Sequence, residues 1–107
     1  MELTSVIIDS REPAEIQRLT FDGAPVDVQL LDAGDLMAIC SDGTLLAVER
    51  KTPDDLLNSL AQDRLWAQVN GIRALTPWAY LVITGSLQCN SAGYAVTDNR
   101  ATKWRWA

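Results

Sequence analysis

Apolar and polar positions alternate along this chain in blocks that predict strands and helices in turn, with no internal repeat and no low-complexity segment. The run LTSVIID, residues 3–9, is largely apolar until it stops at Asp9, which predicts a strand buried on both faces. REPAEIQRL, residues 11–19, places Pro13 at a first helical position and Glu15 in a first turn, so a short helix follows. After the turn residues DGAP, the segment VDVQLL alternates Val26, Val28 and Leu30 on one face and reads as a second strand. LMAIC and LLAVERK then flank SDGT, the pattern of a hairpin around Asp42 and Gly43.

The longest predicted element is a helix from Thr52 to about Leu75, because Leu57, Ala61, Leu65, Ile72 and Leu75 recur at helical spacing. Thr52 is a suitable N-cap, Pro53 a suitable first residue, and Asp55 falls three residues after the cap, with Gly71 the expected weak point. AYLVITG, residues 79–85, reads as another buried strand. From residue 86 onward there is no clear period, and the tail TKWRWA reads as the start of a further helix, since a threonine N-cap is followed by basic and aromatic residues. Trp66 and Trp78 are expected to pack on the core, and Trp104 and Trp106 to need further structure to pack against.

Composition narrows the chemistry. The 107 residues, 48% hydrophobic and 21% charged, suit one folded domain with a single core. Two cysteines, Cys40 and Cys89, form neither a disulfide framework nor a zinc signature and are expected to be free and buried. With no apolar run near the ~20 residues of a membrane span and no signal peptide, the expected setting is intracellular: cytoplasmic in a prokaryote or virus, nuclear in a eukaryote. The net charge of -5 argues against a broad nucleic-acid-binding surface. The absence of histidine removes the commonest general base and zinc ligand, which leaves carboxylates, lysine and hard metal ions.

The candidate chemistry lies on the hairpin. Glu49 and Lys51 are two apart on a strand and share a face, while Arg50 points to the other. A three-residue loop of Ser41, Asp42 and Gly43 would pair Cys40 with Thr44 and set Asp35 opposite Glu49, with Cβ atoms roughly 4.5 to 5.5 Å apart. A two-residue loop would shift the register by one and set Asp35 against Arg50 as an ordinary surface ion pair. The first register opposes two carboxylates, an arrangement suited to Mg²⁺, with Mn²⁺ as a substitute, and to phosphate chemistry assisted by Lys51.

These residues carry a resemblance. GD at 34–35 followed by VERKTPDD at 48–55 resembles the GDX(n)ERKX3D signature of the XPF family of structure-specific endonucleases, within the PD-(D/E)XK nuclease superfamily. IIDSREP at 7–13 and QDRLWAQ at 62–68 are similar to two further blocks of that family, in its order and spacing. The resemblance implies an α/β fold, a restriction-endonuclease-like mixed central sheet flanked by helices, here without the family's C-terminal elements. It makes residues 1–107 one nuclease domain cut short, and residues 86–107 a tail of unassigned role.

By the same resemblance Asp35 and Glu49 bind the metal with Asp9 as a further acid, Lys51 is the catalytic lysine, and Arg50 and Asp55 complete the catalytic set. Glu12, Arg64 and Gln68 match positions near the cleft or the DNA. The implied partner is branched or junction-containing DNA, with a homo- or heterodimeric partner subunit open. The implied reaction is Mg²⁺-dependent hydrolysis of a phosphodiester bond, and the -5 charge predicts that the isolated chain binds DNA weakly.

Plainer readings stand beside these. Asp55 is accounted for by the Thr52 cap, Asp9 and Glu12 by turn chemistry, and Arg64 with Gln68 by a solvated helix stripe. A non-catalytic DNA-binding or scaffold subunit of the same fold, or a junction resolvase of the same superfamily, are the competing functions. Against the first, the acids and Lys51 are intact; against the second, Arg50 stands between Glu49 and Lys51 and Asp55 follows.

Overall fold

The computed structural model describes residues 2–97 together with the backbone of a short strand at Trp104–Arg105. Its main body is a five-stranded sheet built from β1 (Leu3–Asp9), β2 (Val26–Gln29), β3 (Leu36–Cys40), β4 (Leu45–Lys51) and β5 (Ala79–Ile83), in the order β2-β1-β3-β4-β5. Strand β1 is parallel to β2 and β4 to β5, and each parallel pair is joined through helix, as a parallel connection requires. The antiparallel strand β3 lies between β1 and β4, so the sheet is mixed and β1 and β4 run in the same direction.

Period-2 alternation sends the two sets of side chains to opposite faces. On one face Val6, Ile8 and Ala38 form a buried cluster against Leu36, Leu46, Ile16 of helix α1 (Ala14–Gln17) and Phe21. On the other, Ala47 and Lys51 are buried where α2 (Pro53–Ala61) and α3 (Leu65–Arg73) pack on β4. The sheet is therefore flanked by helices, the expected architecture.

The hairpin follows the three-residue loop. The Cys40 N–H donates to the Thr44 carbonyl at 2.9 Å, the Gly43 N–H donates to the Cys40 carbonyl, and Gly43 holds φ +86°. Pairing then runs Leu36 with Val48 through Ile39 with Leu45. Continuing that register sets Asp35 against Glu49, although the regular ladder stops at Leu36 and the Asp35 N–H turns in to the Val48 carbonyl at 2.8 Å.

Several expectations are corrected. The long helix is two helices, because Asp63 adopts φ +56°, a left-handed conformation that aspartate tolerates better than most residues, and ends α2 there. Gly71, the expected weak point, is an ordinary position inside α3. Strand β5 is not buried: Tyr80, Leu81, Val82 and Ile83 are all exposed, since β5 is the last strand of its sheet. Val28 and Leu30 are likewise exposed on or beside the opposite edge strand β2. Trp66 and Trp78 are 64% and 51% exposed and do not join the core, and Cys89 is exposed while Cys40 is buried.

The stretch after residue 86 contains a hairpin of β6 (Leu87–Cys89) and β7 (Tyr94–Thr97), extended by β8 (Trp104–Arg105) into a second, three-stranded antiparallel sheet. A strand thus occupies part of the tail expected to begin a helix; Trp106 and the remaining tail residues lie outside the described residues. The turn is made by Asn90, whose Oδ1 accepts the N–H groups of Ala92 and Tyr94, and by Gly93 at φ +86°. Among the described residues no helix is long and apolar enough to cross a membrane.

Candidate active site

Topology gathers the acids. Because β1 and β4 run the same way on either side of antiparallel β3, the C-terminal ends of β1 and β4 meet the start of β3 at one end of the sheet. Asp9, Asp35 and Glu49 stand at those three places and line one cavity of about 300 Å³ together with Glu12, Asp32, Arg11 and Gln68. The Asp9 N–H donates to the Asp35 carbonyl at 2.9 Å, which ties β1 to the turn before β3.

Asp35 is positioned by its neighbours on both sides. Gly34 before it holds φ +78°, and a Cβ there would sit 3.2 Å from Ile72 Cγ2 and 3.4 Å from the Val48 carbonyl oxygen. The glycine of the GD pair is therefore demanded by backbone conformation and by close packing at once. The Asp35 carboxylate accepts the Arg50 N–H at 2.8 Å, so its side chain takes the place of a main-chain acceptor at the end of the hairpin. Gly34→Ala is expected to cost about 1–3 kcal/mol through left-handed strain and crowding. A thermal melt should then shift down by roughly 4–8 °C for each kcal/mol, and an unchanged midpoint would contradict this account of the turn.

The electrostatics of Asp35 and Glu49 are strained in the same sense. Burial raises the pKa of Asp35 against the relief of the Arg50 N–H, and the negative charges of Glu12 and Asp9 raise it further. Burial and then the Asp35 charge push Glu49 up to about 7, opposed by Lys51. A pair of half-buried carboxylates that resist ionisation together is a place where added positive charge is strongly favoured.

Asp9 differs. It is 2% exposed, and although burial works to raise its pKa, the Arg11 hydrogen bonds, the Leu31 N–H at 2.9 Å and the Arg11 charge together hold it below the usual carboxylate value. Arg11 donates through Nε to Asp9 Oδ2 at 2.8 Å and through Nη2 to Oδ1 at 3.3 Å and to the Leu31 carbonyl at 2.8 Å. Asp9, expected as a third metal-binding acid, thus already has partners at both oxygens. Among the described residues no group of three or more acidic side chains converges as a preformed metal cluster.

The remaining candidates divide. Arg50 is absent from the cavity lining: it donates through Nε and Nη2 to Glu12 at 3.0 and 2.9 Å and through Nη1 to Thr84 Oγ1 at 2.8 Å, on the other face of the sheet. Lys51, on the Glu49 face, is only 7% exposed and donates to Ser59 Oγ of α2 at 3.0 Å, so it does not stand in a solvent-open cleft as a strand-end lysine would. Gln68 lines the cavity, and its Oε1 is buried without a hydrogen-bond partner. Asp55 and Arg64 are exposed and outside the cavity lining; Asp55 gives its N–H to the Thr52 cap at 3.2 Å, and Arg64 is the residue before α3. Asp32 was not anticipated as a lining residue, and nothing in DAGD except its acids distinguishes it from an ordinary turn.

A mixed α/β sheet flanked by helices, with acids gathered at the ends of a central hairpin, is the restriction-endonuclease-like arrangement. The ERCC4 domain model matches residues 8–104, and the chain belongs to that family, the XPF-type nuclease domain. A search of curated proteins finds no match.

Proposed function

We propose that this chain is a divalent-metal-dependent endonuclease that hydrolyses phosphodiester bonds of branched or junction-containing DNA. The observation that carries this reading is the pair Asp35 and Glu49, brought to one cavity with both pKa values raised by burial and by neighbouring negative charge.

The residues fit a hard cation. Asp35 and Glu49 would hold Mg²⁺ or Mn²⁺, and the partnerless Gln68 Oε1 in the same cavity is a further neutral oxygen of the kind such ions accept. When bound, the ion would supply neutralisation of the phosphate charge and a more acidic attacking water.

The protein's own groups supply the rest. Asp35 and Glu49 resist sharing one cavity as two anions, which keeps the site receptive to positive charge. Lys51 places a positive charge that acts on Glu49 from the same face of β4. Arg11, with a side chain 64% exposed, is the one cation lining the cavity among the described residues and is anchored by Asp9, which suits it to meet a DNA phosphate at the rim. The new bond joins a water oxygen to phosphorus as the P–O3′ bond breaks, leaving a 5′-phosphate and a 3′-hydroxyl.

A second reading, a non-catalytic scaffold of the same fold, draws on the partners already held by Asp9 and on the burial of Lys51. Labelled flap and fork DNA under enzyme excess separates the two. Cleavage is expected with Mg²⁺ or Mn²⁺, to be abolished by EDTA, and to favour branched over linear duplex DNA. DNA binding with no metal-stimulated cleavage would establish the scaffold instead.

A further inference from the structure

We propose that Ser59 is a positioning residue for Lys51, and that its hydroxyl fixes the lysine ammonium on the face of β4 that carries Glu49; this rests on the nuclease reading above. Ser59 lies inside α2, is 0% exposed, and accepts the Lys51 ammonium at 3.0 Å. Helix preference alone gives no reason for serine here. In the interior of a helix serine is a poorer residue than alanine, and a fully buried hydroxyl adds a desolvation cost that alanine avoids. The hydrogen bond to Lys51 satisfies that hydroxyl, and Lys51 is itself 7% exposed.

The geometry links two elements. Lys51 is the last residue of β4, and α2 begins two residues later with Thr52 as its cap. A flexible four-carbon side chain leaving a strand end would otherwise sample many rotamers. One hydrogen bond to a rigid helix removes most of that freedom. An ammonium has three N–H groups, so the bond to Ser59 anchors it through one of them while its charge still acts on Glu49 from the same face of β4. Ser59 touches neither metal nor DNA in this scheme; it acts through Lys51.

The test compares wild type with Ser59→Ala, Ser59→Cys and Lys51→Met. The chain has two lysines, Lys51 and Lys103, so lysine-selective ¹³Cε labelling gives two signals, and Lys51→Met assigns them. Ser59→Ala is expected to lower the order parameter of the Lys51 Cε methylene. Under enzyme excess it should reduce the Mg²⁺-dependent cleavage rate about 10- to 100-fold while DNA affinity changes less than about 2-fold. Ser59→Cys, nearly the same size with a weaker acceptor, should fall between and guards against a packing artefact. Unchanged Lys51 order and unchanged cleavage in Ser59→Ala would overturn the inference. So would a cleavage loss without a change in Lys51 order. Full cleavage by Lys51→Met would instead defeat the catalytic role of Lys51, a different result from failure at Ser59.

Discussion

Glu49→Gln is expected to lower metal-dependent DNA cleavage by about 10³-fold, equivalent to several kcal/mol of lost charge stabilisation, while making the metal-free protein more stable. The two effects have one cause. Glu49 is half-buried beside Asp35, and its carboxyl is pushed up to about 7 from an ordinary value of 4.5. A carboxyl whose pKa is higher in the folded state binds more protons folded than unfolded, so stability falls as pH rises. This loss sets in above the unfolded value of 4.5 and is complete once the pH has passed about 7. Asp35, also raised, acts in the same sense. The melting temperature of Glu49→Gln should therefore exceed that of wild type by a margin that widens between those two pH values and then levels off. Adding Mg²⁺ should raise the wild-type melt and leave the variant nearly unchanged, because binding to the native state stabilises it by mass action. Cleavage by the variant within a few-fold of wild type, or a margin independent of pH, would show that Glu49 is not the strained anion of the site.

What could be read in advance depended on how local each determinant was. The hairpin register was foreseeable because it is set within a few residues: Gly43 supplies the left-handed position, and the side-chain period of two then carries Asp35 to Glu49. The helix break at Asp63 was not, since no glycine or proline marks it and apolar spacing continues across the gap from Ala61 to Leu65. The apolar run of β5 reads as buried on composition, yet its place as the end strand is a property of strand order, which no window of sequence contains. The same limit applies to Lys51. The sequence places it at a strand end in a cluster of charges, and only the packing of α2 on β4 reveals the buried contact with Ser59. For Asp9 the sequence showed an acid at a strand end but not that Arg11, two residues on, would hold both of its oxygens. The hairpin at residues 87–97 was missed because its strands are short and its second turn signal, Gly93, follows an Asn-Ser-Ala stretch that reads as open loop.

Arg50→Met is expected to destabilise the protein by about 3 kcal/mol, lowering its melting temperature by roughly 12–24 °C, yet to leave whatever cleavage the folded wild-type chain shows largely in place. This departs from treating the arginine of the ERK run as a catalytic group. Its guanidinium makes a two-pronged pair with Glu12 and a third bond to Thr84, joining the turn after β1 to the ends of β4 and β5. The side chains of Arg50 and Glu12 retain only 19% and 9% of their exposure. Removing one partner leaves the other charge desolvated and unpaired, the costly way to break such a pair; replacing both with apolar groups is far milder. The double variant Glu12→Leu with Arg50→Met should accordingly recover much of the stability lost by Arg50→Met alone. Cleavage measured well below the melting temperature should fall less than about 10-fold, since the guanidinium is absent from the cavity lining and the Arg50 group that serves Asp35 is its main-chain N–H, which substitution leaves in place. A folded Arg50→Met variant with wild-type stability and no cleavage would return the guanidinium to the reaction itself and show that the Glu12 pair is incidental.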